Sequence, residues 1–375
     1  MYFAEWAMWF VCIKPDCWIR KNLEGFGIPG TPVGDPTYED TRKEELVRQA
    51  AKRFDHARTR GPIYACNDTY LEMRCGGMEE KRGAISLITI VLLYFLIGPL
   101  VDIPGRILWA VVSGSGMVFN RDLYIGDLFI FVLLTATLGG GLWLYFKYAF
   151  RFSRLELLTS RHLLIRFNRI TRQVYLHRPA SCGGILVLPW DGMQSEEIAG
   201  LRLVLAWAPG KRTELPFPTS VFVGRQSSRR SDLQAELEFI RRYMDEGGLQ
   251  AVEKPRLSSQ LPLPGPAFTA QFEALGPFLR NSGPLTWFGC LLISPAFVIV
   301  GLSHWASLLL CWRPRWPRII CEAGQPGKPV PALTTVADYP PDVQAQLLAN
   351  AHRWDLRPGR APEKRRHERS GDVRR

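Results

Sequence analysis

Two uncharged apolar stretches, 83–101 (GAISLITIVLLYFLIGPLV) and 128–146 (LFIFVLLTATLGGGLWLYF), restrict this chain's fold more than any other feature. Each approaches the ~20 residues that a helix needs to cross the ~30 Å hydrocarbon core of a bilayer. A helix satisfies its own backbone groups there, so the pair predicts a transmembrane hairpin in preference to two buried helices of a water-soluble domain. Lys81 and Arg82 precede the first stretch and Asp102 follows it; Asp127 precedes the second and Lys147, Arg151 and Arg154 follow it. Both stretches then agree in orientation, with the N-terminus and the segment after the hairpin cytoplasmic and 102–127 outside. Tyr94, Trp109, Tyr124, Trp143 and Tyr145 fall near the expected interfaces, and Ala136 with the glycines at 139–141 leaves a small-residue groove for the first helix. The loop 102–127 is itself apolar and is expected to dip back toward the membrane or to contact a partner.

The formal charge of +12 is concentrated. Residues 151–178 carry seven arginines against Glu156, and 357–375 carry eight basic residues against Glu363, Glu368 and Asp372. Basic segments beside a membrane span read as anchors on anionic headgroups, each side chain worth ~1 kcal/mol near the surface. No helix-turn-helix, zinc finger or aromatic-glycine RNA signature accompanies the charge, which argues against nucleic acid as a partner.

The eight cysteines have no repeated spacing. Cys12 with Cys17 and Cys66 with Cys75 are spaced more widely than zinc pairs usually are, and no histidine supports them. Inert thiols in a reducing compartment are expected, with no metal and no cofactor. No nucleophile elbow, His-Glu-x-x-His, phosphate loop or dinucleotide fingerprint is present. His162 and His177 could face each other across a hairpin, but no acid or cysteine joins them, so the chain reads as a non-enzyme. The N-terminus has Glu5, no early basic cluster and no small-residue cleavage site, which disfavours a signal peptide.

In chain order, 1–80 reads as a cytosolic segment with one surface helix over 38–60, ended by Gly61-Pro62. The hairpin spans 83–146. From 150 to 247 short β segments follow: 155–158, 162–168, 173–177, 184–189, 201–207 and 213–217, with a further one at 220–223. One helix from Ser231 to Glu246 closes this unit. Its Leu233, Leu237, Ile240 and Met244 form a continuous apolar face. A proline-rich linker occupies 248–280, being extended and semi-rigid over 254–266. A third apolar segment, 281–312, is long enough to span but split at Ser294-Pro295. A single span there would put the basic tail outside, whereas a re-entrant or interfacial segment keeps it cytoplasmic. The tail, 313–375, contains a helix over 341–354 and is expected to be disordered from 356.

Antiparallel strands capped by one C-terminal helix resemble a pleckstrin-homology-like barrel. Leu158-Thr159 with Leu163, and Leu188-Pro189-Trp190, are similar to segments of bacterial proteins that carry such a barrel after a transmembrane hairpin. The expected fold is therefore an α+β membrane protein: a transmembrane helical hairpin, then a small antiparallel β-barrel with a capping helix. Between the segments 162–168 and 173–177, Asn168 and Arg169 fall where a hairpin turn takes an unusual φ, and Thr171 is placed to bond back to the turn. Arg166, Arg169 and Arg172 would project from one rim, suited to phosphate or simply a solvated hairpin tip.

A second resemblance rests on Phe167-Asn168-Arg169, on Val174-Tyr175 through Arg178-Pro179, on Pro189-Trp190-Asp191, and on the later Pro314-Arg315-Trp316-Pro317. In this order after a hairpin they resemble a domain-of-unknown-function family of proteobacterial inner-membrane proteins, often encoded beside type VI secretion effectors. The resemblance implies a bacterial inner-membrane location and an immunity or accessory role toward a protein partner, an effector or secretion component. It does not extend over 1–80. The candidate binding residues are Arg166, Asn168, Arg169, Arg172, Tyr175, Arg178 and Trp190. The competing function is lipid-headgroup sensing or membrane organisation through the arginine rim.

Overall fold

The computed structural model describes residues 2–14, 56–78, 82–112, 121–197, 202–209, 213–227, 229–273 and 282–351. The chain forms two compact units. One comprises Met1–Phe3, Met78–Arg161 and Gln260–Pro314; the other comprises Ala4–Gly77, His162–Ser259 and Arg315–Arg375. In chain order the elements are α1 (Phe3–Ile13), β1 (Ile63–Cys66), β2 (Tyr70–Cys75), α2 (Ala84–Val112) and α3 (Arg121–Leu144). There follow β3 (Leu163–Asn168), β4 (Gln173–His177), β5 (Leu186–Pro189), β6 (Met193–Glu197), β7 (Leu203–Trp207) and β8 (Thr219–Val223). The remaining helices are α4 (Arg230–Arg242), α5 (Pro264–Glu273), α6 (Pro284–Leu309), α7 (Arg318–Glu322) and α8 (Pro341–Asn350).

The strands make one antiparallel sheet in the order β5-β4-β3-β2-β8-β7-β6, with β1 on β2. The path is open, because β5 and β6 lie at its ends; the expected closed barrel is not formed by the described strands. β2 precedes both long helices in sequence and β3 follows them, yet the two pair along their whole length, from Tyr70↔Asn168 to Cys75↔Leu163. Alternation puts Leu71, Met73, Leu163, Ile165, Phe167, Val174 and Leu176 in the core. Leu233, Leu237, Ile240 and Met244 of the capping helix are buried as the periodicity predicts. α1 belongs to this unit from Ala4 onward: Trp9 stacks on Tyr339 at 5.2 Å and meets the edge of Phe217.

Several expected elements differ. Residues 155–158 are turns and not a strand, because Leu158 takes a φ of +50° and Glu156 is drawn away to a helix end. Residues 213–217 form only a bridge from Thr213 to Pro209; Pro216 and Pro218 lack the donors that a strand needs, and the strand forms at β8. β6 was not expected because MQSEE has no apolar alternation; it is a polar edge strand paired only with β7. The loop 102–127 is helical at both ends, since one carboxylate, Asp102, does not stop a helix. Of the helix expected over 38–60, residues 56–60 are irregular and 38–55 lie outside the described residues, as does the tail from 352.

In the helical unit, residues 84–102 of α2 and the whole of α6 are long and apolar enough to cross a membrane. Their outward side chains include Ile88, Tyr94, Phe95, Leu285 and Leu291. α6 runs unbroken through Pro295. Proline leaves the Leu291 carbonyl without its helical donor, and the Ser294 hydroxyl donates to that carbonyl instead, at 2.7 Å. Of the glycines in α3, a Cβ on Gly141 would lie 3.0 Å from Leu96 of α2, whereas Gly139 and Gly140 have nothing within 4 Å.

One end of the helical unit is knit by buried polar groups. Glu156 accepts from the Gly83 N–H, the Ile85 N–H and the Ser86 hydroxyl, placing a carboxylate at the start of α2 where the helix dipole favours it. Arg82 is fully buried and donates to Ser307, to the Arg161 carbonyl and to the Glu156 carbonyl. Arg161 donates to the carbonyls of Leu308, Cys311 and Gln260, closing the C-terminal end of α6. The outgoing leg, α5, is antiparallel to α6: Trp305 donates to the Pro262 carbonyl, and Phe272 packs on Phe297 further along. Residues 82, 161, 260 and 311 therefore gather at one end, and 260–314 leaves and returns there.

Candidate functional site

On β2, β3 and β4 the side chains opposite the core form rows fixed by register. Glu72 pairs with Arg166, Arg166 with Tyr175, and Tyr175 with Val187; Tyr70, Asn168 and Gln173 form the next row. Strand alternation therefore brings Arg166, Asn168 and Tyr175 to one sheet face.

That face is occupied by the chain itself. The Arg166 guanidinium lies 4.1 Å from the centroid of the Tyr70 ring and 4.9 Å from that of Trp316. Glu72 Oε2 accepts from both Arg166 (2.6 Å) and the Trp316 indole N–H (2.8 Å). Asn168 donates to the Ala323 carbonyl and Gln173 to the Pro331 carbonyl, while Val187 and Thr334 exchange two hydrogen bonds. Tyr175, Ile320 and Ala323 form an apolar cluster with Val187 and Trp316 against it. His177 Nε2 lies 3.1 Å from the Arg315 carbonyl and its ring meets Trp316 edge-on; burial pulls its pKa below the usual histidine value. Segment 315–334 thus docks across the polar face of β2–β5.

The expected rim is not assembled. Arg166 is buried in this face, and a guanidinium with a carboxylate and two rings around it has no free fork for a phosphate. Arg169 donates to the Asp68 carbonyl. Arg172 binds Asp191 at 2.6 Å and Asp245 at 3.1 Å; the Trp190 indole shares Asp245. Arg178 is buried elsewhere, donating to the Ser220 carbonyl. Glu5, close enough to feel the charge of Arg178, has its carboxyl pKa raised by burial. The turn also differs from expectation. The unusual φ, +51°, falls on Arg172; Asn168 Oδ1 accepts from the Ile170 and Thr171 N–H groups, and the Thr171 hydroxyl meets that of Tyr175.

His162 and His177 do not meet: His162 stacks on Tyr64, and His177 pairs with Leu164. Burial pushes the thiols of Cys12 up to about 12 and of Cys182 to about 11, so neither supplies a thiolate near neutrality. Sequence reasoning missed Glu72 and the role of Trp316. The signal for Glu72 was present, since Asn67-Asp68-Thr69 is a turn between two β-prone runs; Asn67 Oδ1 indeed accepts from the Thr69 and Tyr70 N–H groups.

No family model, curated protein or solved structure matches the chain.

Proposed function

We propose that this chain is a membrane-anchored binding module, with the helical unit in a bacterial inner membrane and the sheet unit displayed in the cytoplasm. The observation that carries this reading is the gathering of residues 82, 161, 260 and 311 at one end of the helical unit. Strands β2 and β3 are hydrogen-bonded neighbours and must lie on one side of any bilayer, so the residues between them make an even number of crossings. The same parity holds for 260–314, with α5 in the outgoing leg and α6 in the return. The apolar surfaces of α2 and α6 match hydrocarbon, and Lys147 and Arg151 suit an anionic inner leaflet.

The sheet unit is a pleckstrin-homology-like meander in this reading, supported by the runs β2–β5 and β6–β8, in which sequence neighbours pair, by the contact of β2 with β8 that joins them, and by the helix that follows. Its ligand is a protein segment, an effector or secretion component, in preference to headgroups at Arg166, Arg169 and Arg172. The support is that this face already holds a Trp-bearing segment in cis.

Detergent-free fractionation tests the anchor, together with labelling of single cysteines placed at 154, 282 and 315 in a cysteine-free variant. Sedimentation with membranes is expected, with only the cysteine at 282 labelled from outside. Protein left in the supernatant, or position 315 labelled from outside, overturns the reading. Co-purification from detergent with the products of adjacent genes tests the partner; recovery of lipid alone rejects a protein ligand.

A further inference from the structure

The arginines of the expected rim are engaged, but another set of cations is not. Arg58, Lys254 and Arg256 are exposed, and their side chains have no ion pair or hydrogen bond among the described residues. With Arg60 and Arg225 they line a cleft of about 950 Å³ in the sheet unit, where Asp232 and Glu253 are the carboxylates. Asp232 is already bound to Arg60, which leaves Glu253 as the carboxylate beside Arg58, Lys254 and Arg256.

The cations are held by three different segments. Arg58 and Arg60 precede β1, and the backbone N–H of Arg58 donates to the Ala235 carbonyl of α4. Arg225 follows β8. Lys254 and Arg256 lie on an extended stretch tied beside β1, where Leu257 bridges to Ile63 and the Ser258 N–H donates to the Ile63 carbonyl. Thr59 is on the same wall, with a hydroxyl that has no partner. Like charges fixed around a concave surface repel one another until an anion enters, and guanidinium forks match phosphate oxygens two at a time. The cleft is too large for one phosphate and suits a molecule that spans several cations.

We propose that this cleft binds a small anion carrying two or more phosphate groups, whether free in solution or as the headgroup of a lipid. The inference goes beyond the membrane-anchored reading and does not rest on it.

The test is titration of the full chain in detergent with inositol hexakisphosphate and, separately, with a short-chain phosphatidylinositol bisphosphate. Saturable binding of at least one probe is expected, weakening as salt rises. Arg58→Ala with Arg256→Ala should reduce it by about tenfold or more, with unfolding midpoints confirming that the variant is folded. Arg318→Ala, which removes an exposed charge paired with Glu322, should leave it unchanged. Tighter binding of the inositol phosphate assigns the site to a soluble ligand, and tighter binding of the lipid assigns it to a headgroup. Failure of both probes to bind, or equal losses in the cleft variant and Arg318→Ala, overturns the proposal.

Discussion

The Glu72 carboxylate and the Arg166 guanidinium lie 2.6 Å apart with 6% and 7% of their side chains exposed, neighbours across β2 and β3 from opposite ends of the α2–α3 insertion. A buried pair of this kind is worth little against an apolar replacement, but breaking it strands a charge. Glu72→Gln is expected to lower unfolding stability by about 3–5 kcal/mol, and Glu72→Leu with Arg166→Met to recover most of that. Denaturant unfolding followed by tryptophan fluorescence checks both.

Trp316 holds segment 315–334 by ring contacts to Arg166 and Tyr175 and by its hydrogen bond to Glu72. Trp316→Ala should loosen this segment before the sheet unfolds. A local loss of about 2 kcal/mol corresponds to roughly 30-fold faster cleavage there by limited proteolysis. Equal cleavage rates in both proteins would refute the docking role.

Glu236 is a pH-sensitive element of the sheet unit. Its carboxylate accepts from the Gly61 N–H and sits where a Cβ on Gly224 (φ +75°) would overlap it; burial pushes its pKa from 4.5 to about 7. A raised folded pKa means that the contribution is fully present below pH 4.5 and is lost as pH rises through about 7. The loss is at most about 3 kcal/mol. Glu236→Gln should flatten this part of the profile, so the difference between the two proteins should grow between pH 5 and 8 in thermal unfolding.

Ser294 and Pro295 form a compensating pair. Ser294→Ala leaves the Leu291 carbonyl unsatisfied and should cost about 1 kcal/mol of stability. In a Pro295→Ala background the same change should cost close to nothing, because the helix then supplies its own donor. A thermodynamic cycle of the four proteins measures the coupling.

Gly141 and Gly140 separate packing from helix propensity. Gly141→Leu would press on Leu96 and is expected to destabilise the α2–α3 contact, whereas Gly140→Ala meets nothing within 4 Å. Thermal unfolding of the two variants should differ in sign or by more than about 1 kcal/mol.

What was legible in the sequence is what depends on neighbours along the chain. The stripe Leu233–Leu237–Ile240–Met244 and the strand Gln173–His177 were read correctly because periodicity is local. The arginine rim was misread because its partners are distant: Glu72 for Arg166, and Asp191 and Asp245 for Arg172. Counting charge in 151–178 cannot reveal that Arg161 closes a helix end from far away in sequence. β1 and β2 escaped because Glu72 and Arg74 look like surface residues until the register sets them beside β3.

The pairing of β2 with β3 also imposes an order on biogenesis. A ribosome releases Tyr70–Cys75 well before Leu163–Asn168, and a two-stranded hairpin such as β1–β2 is marginal alone. Until α2 and α3 have been synthesised and have folded, the nascent chain carries an uncovered strand edge with no legitimate mate. A defect in the folding of those helices should therefore first be noticed in the cell as β-aggregation of the sheet unit, far from the lesion that caused it.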